Sequence, residues 1–384
     1  MDALQFTDGQ KVNLVRTIEG AWAFVPPMLP PMVNIGEVAI QLAATAKQIG
    51  ELKGAARRLT NPYMLIMPLI RREALTSSAM EGTITTIDDM LLQEVTPEAH
   101  RNDDAREVLN YIQALRQAIR QMETLPISGR LIRSGHKTLL SGLSPQRGAG
   151  KRPGEYKAMQ NAIGDQSDTI FTARYVPPPP VQTEQCMAEL EVFINRENRA
   201  DGEELLDLAM AHYQFEAIHP FQDGNGRMGR MLITLMAIQF GLVNLPLLHV
   251  SAVLERRKPE YIERLFEVST HGKWLEWIAF FLDTVSASCK MAIDKVDSTI
   301  ALHSDLKQRA TTAKRNYRLN SIIDSLFEKE WTTATEVARR CGVTFPTAQS
   351  DILALVQLEI LRRIPNTRPA IFVAQPIWDL GKRD

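Results

Sequence analysis

The chain has 384 residues, 45% of them hydrophobic and 23% charged, with a formal net charge of −1. Such a length can bury a large core and is expected to hold two or three domains, and the composition excludes a disordered or fibrous protein. The near-zero charge excludes a global attraction to nucleic acid or to a membrane surface, and no apolar run is long enough to cross a bilayer. Three widely spaced cysteines, Cys186, Cys289 and Cys341, fit no metal pattern. With no secretory leader expected, they point to a reducing cytoplasm. Residues 1–60 hold Pro26, Pro27, Pro30 and Pro31, which predicts an extended arm on the surface. A helical pattern follows over 38–59, and Asn61-Pro62 marks a turn.

A second helix is predicted over 67–81. Ser77 and Glu81 are four apart and share a face. Glu81 stands in the last turn before Gly82, where the helix dipole opposes a carboxylate by about 0.3–1 kcal/mol. Such a charge invites a cationic partner; a solvated helix end is the alternative. Val108, Tyr111, Ile112 and Leu115 space an amphipathic helix over 104–122. Another runs over 131–140, and its His136 is expected to be structural. Residues 148–156 are glycine-rich and basic but lack the Gly-Lys-Ser/Thr ending of a P-loop. They are predicted as a loop, with Lys151 and Arg152 as candidate phosphate contacts. Residues 170–175 alternate β-formers and the prolines at 177–180 stop them, which predicts a short strand.

Residues 219–230 read H-P-F-Q-D-G-N-G-R-M-G-R. Leu205, Leu208, Ala209, His212 and Phe215 mark a helix before them, and Pro220 disfavours its continuation at His219. A second, nearly all-apolar helix is predicted over 228–240, with Gly241 as its cap. The motif is therefore a loop between helices. Gly224 and Gly226 let the backbone turn and present N–H groups to a phosphate oxyanion. Arg227 and Arg230 add forked cationic donors. Asp223 is a hard oxygen ligand suited to magnesium. Asn225 can bond a phosphate or the loop backbone. His219 titrates near neutrality and is the natural base for a hydroxyl nucleophile. Together these parts predict nucleotidyl transfer. A dinucleotide fingerprint at Gly224-x-Gly226-x-x-Gly229 is disfavoured because a helix, not a strand, precedes it. A plain capped helix–loop–helix would not require this set of residues.

The segment resembles the core motif of Fic-domain proteins, H-x-F-x-[DE]-G-N-G-R-x-x-R, at every specified position. The resemblance implies transfer of AMP from ATP to a Ser, Thr or Tyr hydroxyl of a target protein. It assigns His219 as the base and Asp223 as the Mg2+ ligand. Gly224, Asn225, Gly226 and Arg227 would hold the α- and β-phosphates and Arg230 the γ-phosphate. Ser77-x-x-x-Glu81-Gly82 in turn resembles the inhibitory motif [ST]-x-x-x-E-[GN] of Fic proteins that carry their inhibitor upstream. There the glutamate would pair with Arg230 and obstruct the γ-phosphate site. The short strand near 170–175 matches the place of the family's β-hairpin flap, which aligns a target segment as an added strand.

Beyond the core, Tyr261, Phe266, Trp274, Trp277, Phe280 and Phe281 are expected to pack as core or interface. A long helix is predicted from 281 towards 313. Helical patterns over 320–330, 333–338 and 344–359, then paired strands over 360–364 and 369–373, resemble a winged helix. From Leu306 onward thirteen Lys and Arg face eight Asp and Glu, near +5, which leaves the rest of a −1 chain near −6. This asymmetry permits DNA binding. Yet no Lys or Arg lies between Cys341 and Leu361, where a reading helix needs them, so protein docking or homodimer support is favoured over DNA. The expected architecture is mainly α: an arm (1–60), an inhibitory helix region (61–103), a Fic domain with a small β-hairpin flap (104–285), and a linker helix with a winged helix (286–384). The expected function is ATP- and Mg2+-dependent protein adenylylation. Its alternatives are AMP removal and a DNA-binding regulator with a nucleotide-sensing core.

Overall fold

The computed structural model describes every residue except 60–62, 96–101, 166, 201, 312–315, 366 and 383–384, so the turn expected at Asn61-Pro62 lies outside the described residues. Residues 1–49 with 73–288 form one compact unit, and residues 50–72 with 289–384 form another. In chain order, α1 (Asp8–Lys11) leads to an antiparallel hairpin of β1 (Leu14–Arg16) and β2 (Trp22–Phe24). Helices α2 (Ala39–Ala56), α3 (Tyr63–Ala79), α4 (Ile87–Val95), α5 (Asp103–Met122) and α6 (Gly129–Leu139) follow. Then come α7 (Pro180–Ile194), α8 (Glu204–Ile218), α9 (Asn225–Gln239), α10 (Ser251–Arg256), α11 (Lys258–His271) and α12 (Trp274–Thr311). The C-terminal elements are α13 (Asn316–Glu328), β3 (Trp331–Thr333), α14 (Ala334–Cys341), α15 (Phe345–Gln357), β4 (Arg362–Arg363), β5 (Ile371–Val373) and α16 (Gln375–Lys382). Among the described residues no helix is long and apolar enough to cross a membrane.

In the first unit α8 and α9 are buried on nearly every face. Helix α8 packs on α7, α9 and α11, while α5 packs on α4, α6 and α9. The start of α5 is set by Asn102, whose side chain accepts from the Ala105 N–H at 3.1 Å, with Asp103 and Asp104 in the first turn, as the helix dipole favours. The expected aromatic stripe packs as core: Tyr261, Trp274, Trp277, Phe280 and Phe281 are buried. The Trp277 indole donates to the Ala209 carbonyl at 2.9 Å, which ties α12 to α8.

Two expectations in this unit are corrected. The proline-rich N-terminus is not a bare surface arm, because Phe6, Ala23 and Phe24 are buried and Phe24 donates to the Val176 carbonyl at 2.9 Å. Short apolar-rich runs on either side of Gly20, which turns at φ 88°, form the β1–β2 hairpin. Nor do residues 170–175 form a strand: 170–172 are a turn, and only Tyr175 pairs, antiparallel with Ile163. Asp168 accepts from the Asp165 N–H and the Thr172 hydroxyl at 2.8 and 3.1 Å. Such side-chain bonds compete with a ladder.

The second unit has its own core, built from Leu319, Ile323, Phe327, Ile352, Leu355 and Ile377 among others. Helix α14 is capped by Thr333, whose hydroxyl accepts from the Glu336 N–H at 3.2 Å, and it ends at Gly342, φ 63°. Helix α15 follows directly. The expected strands pair as β4 and β5, and β3 joins them in an antiparallel sheet ordered β3-β5-β4. Neither β3 nor α16 was predicted.

Candidate active site

The motif loop is held by its own side chains. Helix α8 ends where His219 turns left-handed at φ 47° and ψ 60°, one residue before Pro220. The Asn225 side chain accepts from the Phe221 N–H and donates to the Phe221 carbonyl, both at 2.8 Å. Of the two roles open to Asn225, its side chain takes the backbone one. Phe221 stacks on His136 with ring centroids 3.8 Å apart. The Gly154 N–H donates to His136 Nδ1 at 2.9 Å, and Nε2 lies 2.9 Å from the Asp223 carbonyl. Nε2 is therefore the protonated nitrogen of a neutral ring, and burial pushes its pKa down to about 4. The structural role expected of His136 is a pin beneath the loop.

Beyond Gly224, at φ 78°, α9 begins at Asn225, three residues earlier than its apolar pattern. The first N–H groups of a helix have no partner within it and carry its positive dipole end. Asp223 accepts from the Gly224 N–H at 2.6 Å and lies 3.4 Å from Arg227. The buried Arg227 donates to Glu107 at 2.9 Å. Glu107 also takes the Thr83 hydroxyl at 2.6 Å and Arg147 at 2.8 Å. Arg227 is thus orientated from α5, which the motif alone did not disclose.

Arg230 is fully buried and meets both upstream residues. It donates to Ser77 Oγ at 2.8 Å, to the Ser77 carbonyl at 2.7 Å and to Glu81 Oε1 at 2.7 Å. Glu81 lies two residues beyond the end of α3 and its side chain is 37% exposed, against 2% for Arg230. Burial works to raise the Glu81 pKa, but the Arg230 charge and hydrogen bond prevail and hold it below the usual value. A Cβ built on Gly226 would stand 2.3 Å from Glu81 Oε1. The carboxylate therefore rests on the first turn of α9, where an anion is most favoured.

Glu81, Gly226 and Arg230 line a cavity of about 510 Å³, together with His219, Glu216, Tyr213 and Tyr261; Asp223, Gly224, Asn225 and Arg227 are not among its lining residues. Burial foremost, and then the Lys157 charge, push the His219 pKa down to about 4, so the ring is neutral at pH 7. Glu216 is pushed up to about 7 by burial, against the Arg230 charge and with the Glu81 charge. Lys151 and Arg152 do not line the cavity, and Arg152 pairs with Glu155. Among the described residues no group of three metal-binding side chains occurs. Asp223, 39% exposed, instead suits an ion held by one carboxylate and substrate phosphates, the usual mode of magnesium.

Residues 40–120 match the Fic/DOC family N-terminal model and residues 126–237 the Fic/DOC family model, together half of the chain. The chain belongs to the Fic/DOC family. It is 25% identical over 174 residues to "Probable protein adenylyltransferase aq_aa38" of Aquifex aeolicus (strain VF5), a match covering 45% of this chain and 49% of that protein. It is 26% identical over 148 residues to "Protein adenylyltransferase Fic" of Culex quinquefasciatus, covering 38% and 25%. The match thus spans half or less of the length of these curated relatives. The crystal structure of a Fic family protein from Desulfovibrio desulfuricans G20 aligns over 90% of this chain and 98% of that one, with a TM-score of 0.59 at 18% identity. The fold is shared.

Proposed function

We propose that the chain is an ATP- and magnesium-dependent protein adenylyltransferase, held inhibited by Glu81. One observation carries the reading: His219, Gly226 in the first turn of α9 and Arg230 line the same cavity. ATP would lay its phosphates along the N–H groups of Asn225, Gly226 and Arg227, with Arg230 at the terminal phosphate. A Ser, Thr or Tyr hydroxyl of the target attacks the α-phosphorus and its proton passes to His219. The bond to the bridging oxygen breaks and pyrophosphate leaves. A ring that is neutral at pH 7 is ready to take that proton. Charge developing on the phosphate oxygens is met by dipoles and arginines already in place. Asp223 would hold the magnesium ion, which when bound neutralises charge on the phosphates. The segment around the Ile163–Tyr175 bridge borders the cavity and would align the target strand.

Inhibition follows from occupancy. The Glu81 carboxylate rests on Gly226 and engages Arg230, so the terminal phosphate finds an anion where it should sit. We read α13, α14 and α15 with their sheet as a winged helix used for docking or dimerisation. Intact-mass analysis after incubation with ATP and magnesium tests the whole reading, using Glu81→Gly to relieve inhibition. Mass equal to added AMP is expected on the protein or on a lysate target. In that background His219→Ala should lower transfer by at least about 100-fold while ATP binding persists. Near-normal transfer without His219 would remove it from the role.

A further inference from the structure

Four successive carbonyls, from Ile218 at the end of α8 to Phe221 in the motif loop, are held by two residues that lie outside both. The Lys157 ammonium donates to the Ile218 carbonyl at 3.1 Å, and the Lys157 N–H donates to the Pro220 carbonyl at 2.8 Å. Asn161 Nδ2 donates to the His219 carbonyl at 3.2 Å and to the Phe221 carbonyl at 3.0 Å. The two are joined, because the ammonium also donates to Asn161 Oδ1 at 2.9 Å. This clasp spans His219, which stands left-handed without being glycine, a conformation that persists only where surrounding structure enforces it.

His219 needs such a device more than most bases. Its Nδ1 is buried, faces the Glu216 backbone and makes no hydrogen bond of normal geometry. Among the described residues no side chain hydrogen-bonds to Nδ1, so the ring's direction depends on how the main chain is held. We propose that Lys157 and Asn161 are positioning residues for His219, clasping the loop so that the ring faces the cavity. This rests on the adenylyltransferase reading for its kinetic consequence, though not for its geometry.

Lys157 carries a second consequence. It is 3% exposed and among the described residues has no carboxylate partner, its ammonium donating to Asn161 Oδ1 and the Ile218 carbonyl. The titratable groups that act with it are the Cys186 thiol and His219, and the Glu81 charge acts on His219 in the opposite sense. A cation there disfavours imidazolium, so it helps keep the base unprotonated. Burial lowers the Lys157 pKa to about 7. Its charge is therefore present in the acidic range where His219 would take up a proton.

The experiment compares Lys157→Met and Asn161→Ala, each in the full chain carrying Glu81→Gly. Both should lower kcat for AMP transfer by tenfold or more, with KM for ATP within about threefold, as expected when only the placement of the base is disturbed. Lys157→Met alone should move the acidic limb of the pH profile to higher pH, because only that variant removes the charge. Rates within twofold of the parent, or KM and thermal stability collapsing together with kcat, would overturn the proposal. Should the Glu81→Gly parent itself transfer no AMP, the functional reading fails instead. NMR titration of the His219 imidazole then decides: an upward pKa shift in Lys157→Met supports the clasp, and an unchanged titration sinks it.

Discussion

Arg230 is satisfied by three acceptors from two residues, Ser77 and Glu81, that lie one helical turn apart upstream. Only Glu81 brings charge, and only Glu81 reaches solvent. The Ser77 contacts hold the guanidinium still whether or not the ion pair forms. Removing Glu81 should therefore leave Arg230 in place and free to meet a phosphate. A hydrogen bond to a charged group contributes about 1.5–3 kcal/mol, and partial exposure argues for the lower end. Glu81→Gly should then raise initial AMP incorporation about tenfold. Glu81→Gln keeps the bulk over Gly226 and should activate less. A Glu81→Gly variant no faster than wild type would make the residue a mere helix end. If Glu81→Gly combined with Arg230→Ala keeps the whole gain, inhibition acts through some other group.

At the scale of elements, helices with a clear apolar stripe and a recognisable cap were legible in the sequence, as α5 and α14 illustrate. Strands of three residues were not: β3 and the β1–β2 hairpin are too short for period 2 to rise above chance. The loop after α8 was legible as a loop between helices because the residues of its motif are contiguous. Glu107, Lys157 and Asn161 were not, since they act from 58 to 120 positions away and two of them act on backbone atoms that carry no residue identity. Helix α15 makes an element-scale prediction. Its one acidic residue, Asp351, is buried and clamped by Arg318 at 2.8 and 3.1 Å, while Phe345 and Leu353 are exposed. A reading helix with an apolar face and no cation should not hold duplex DNA. Titration of the full chain at low and physiological salt should show weak, salt-sensitive binding only. Tight sequence-dependent binding at physiological salt would favour a regulator instead.

At the scale of the whole molecule, four buried histidines make folding sensitive to acid. Burial pushes His136, His219 and His249 down to about 4, and His212 down to about 3. In the unfolded chain each titrates near 6.5. Between about pH 4.5 and 6.5 the unfolded state therefore binds up to four protons that the folded state refuses. Two carboxyls act in the opposite direction: burial raises Glu216 to about 7 and raises Glu73 as well. Glu216 keeps a proton on folding that the unfolded chain releases above about 4.5, and Glu73 acts in the same direction. Four histidines against these two carboxyls leave a net uptake of protons on unfolding, so stability rises with pH across this window and falls as pH drops through it. Each proton of that net uptake adds about 1.4 kcal/mol per pH unit to the slope of stability against pH. Glu81, whose pKa is lowered, adds its own loss only below about 4.5. Urea unfolding between pH 5 and 7, followed by fluorescence of the buried Trp274 and Trp277, measures that slope. His249→Leu, outside the cavity, should flatten it by about one proton's share. A slope of zero or of opposite sign would mean that the buried carboxyls outweigh the histidines.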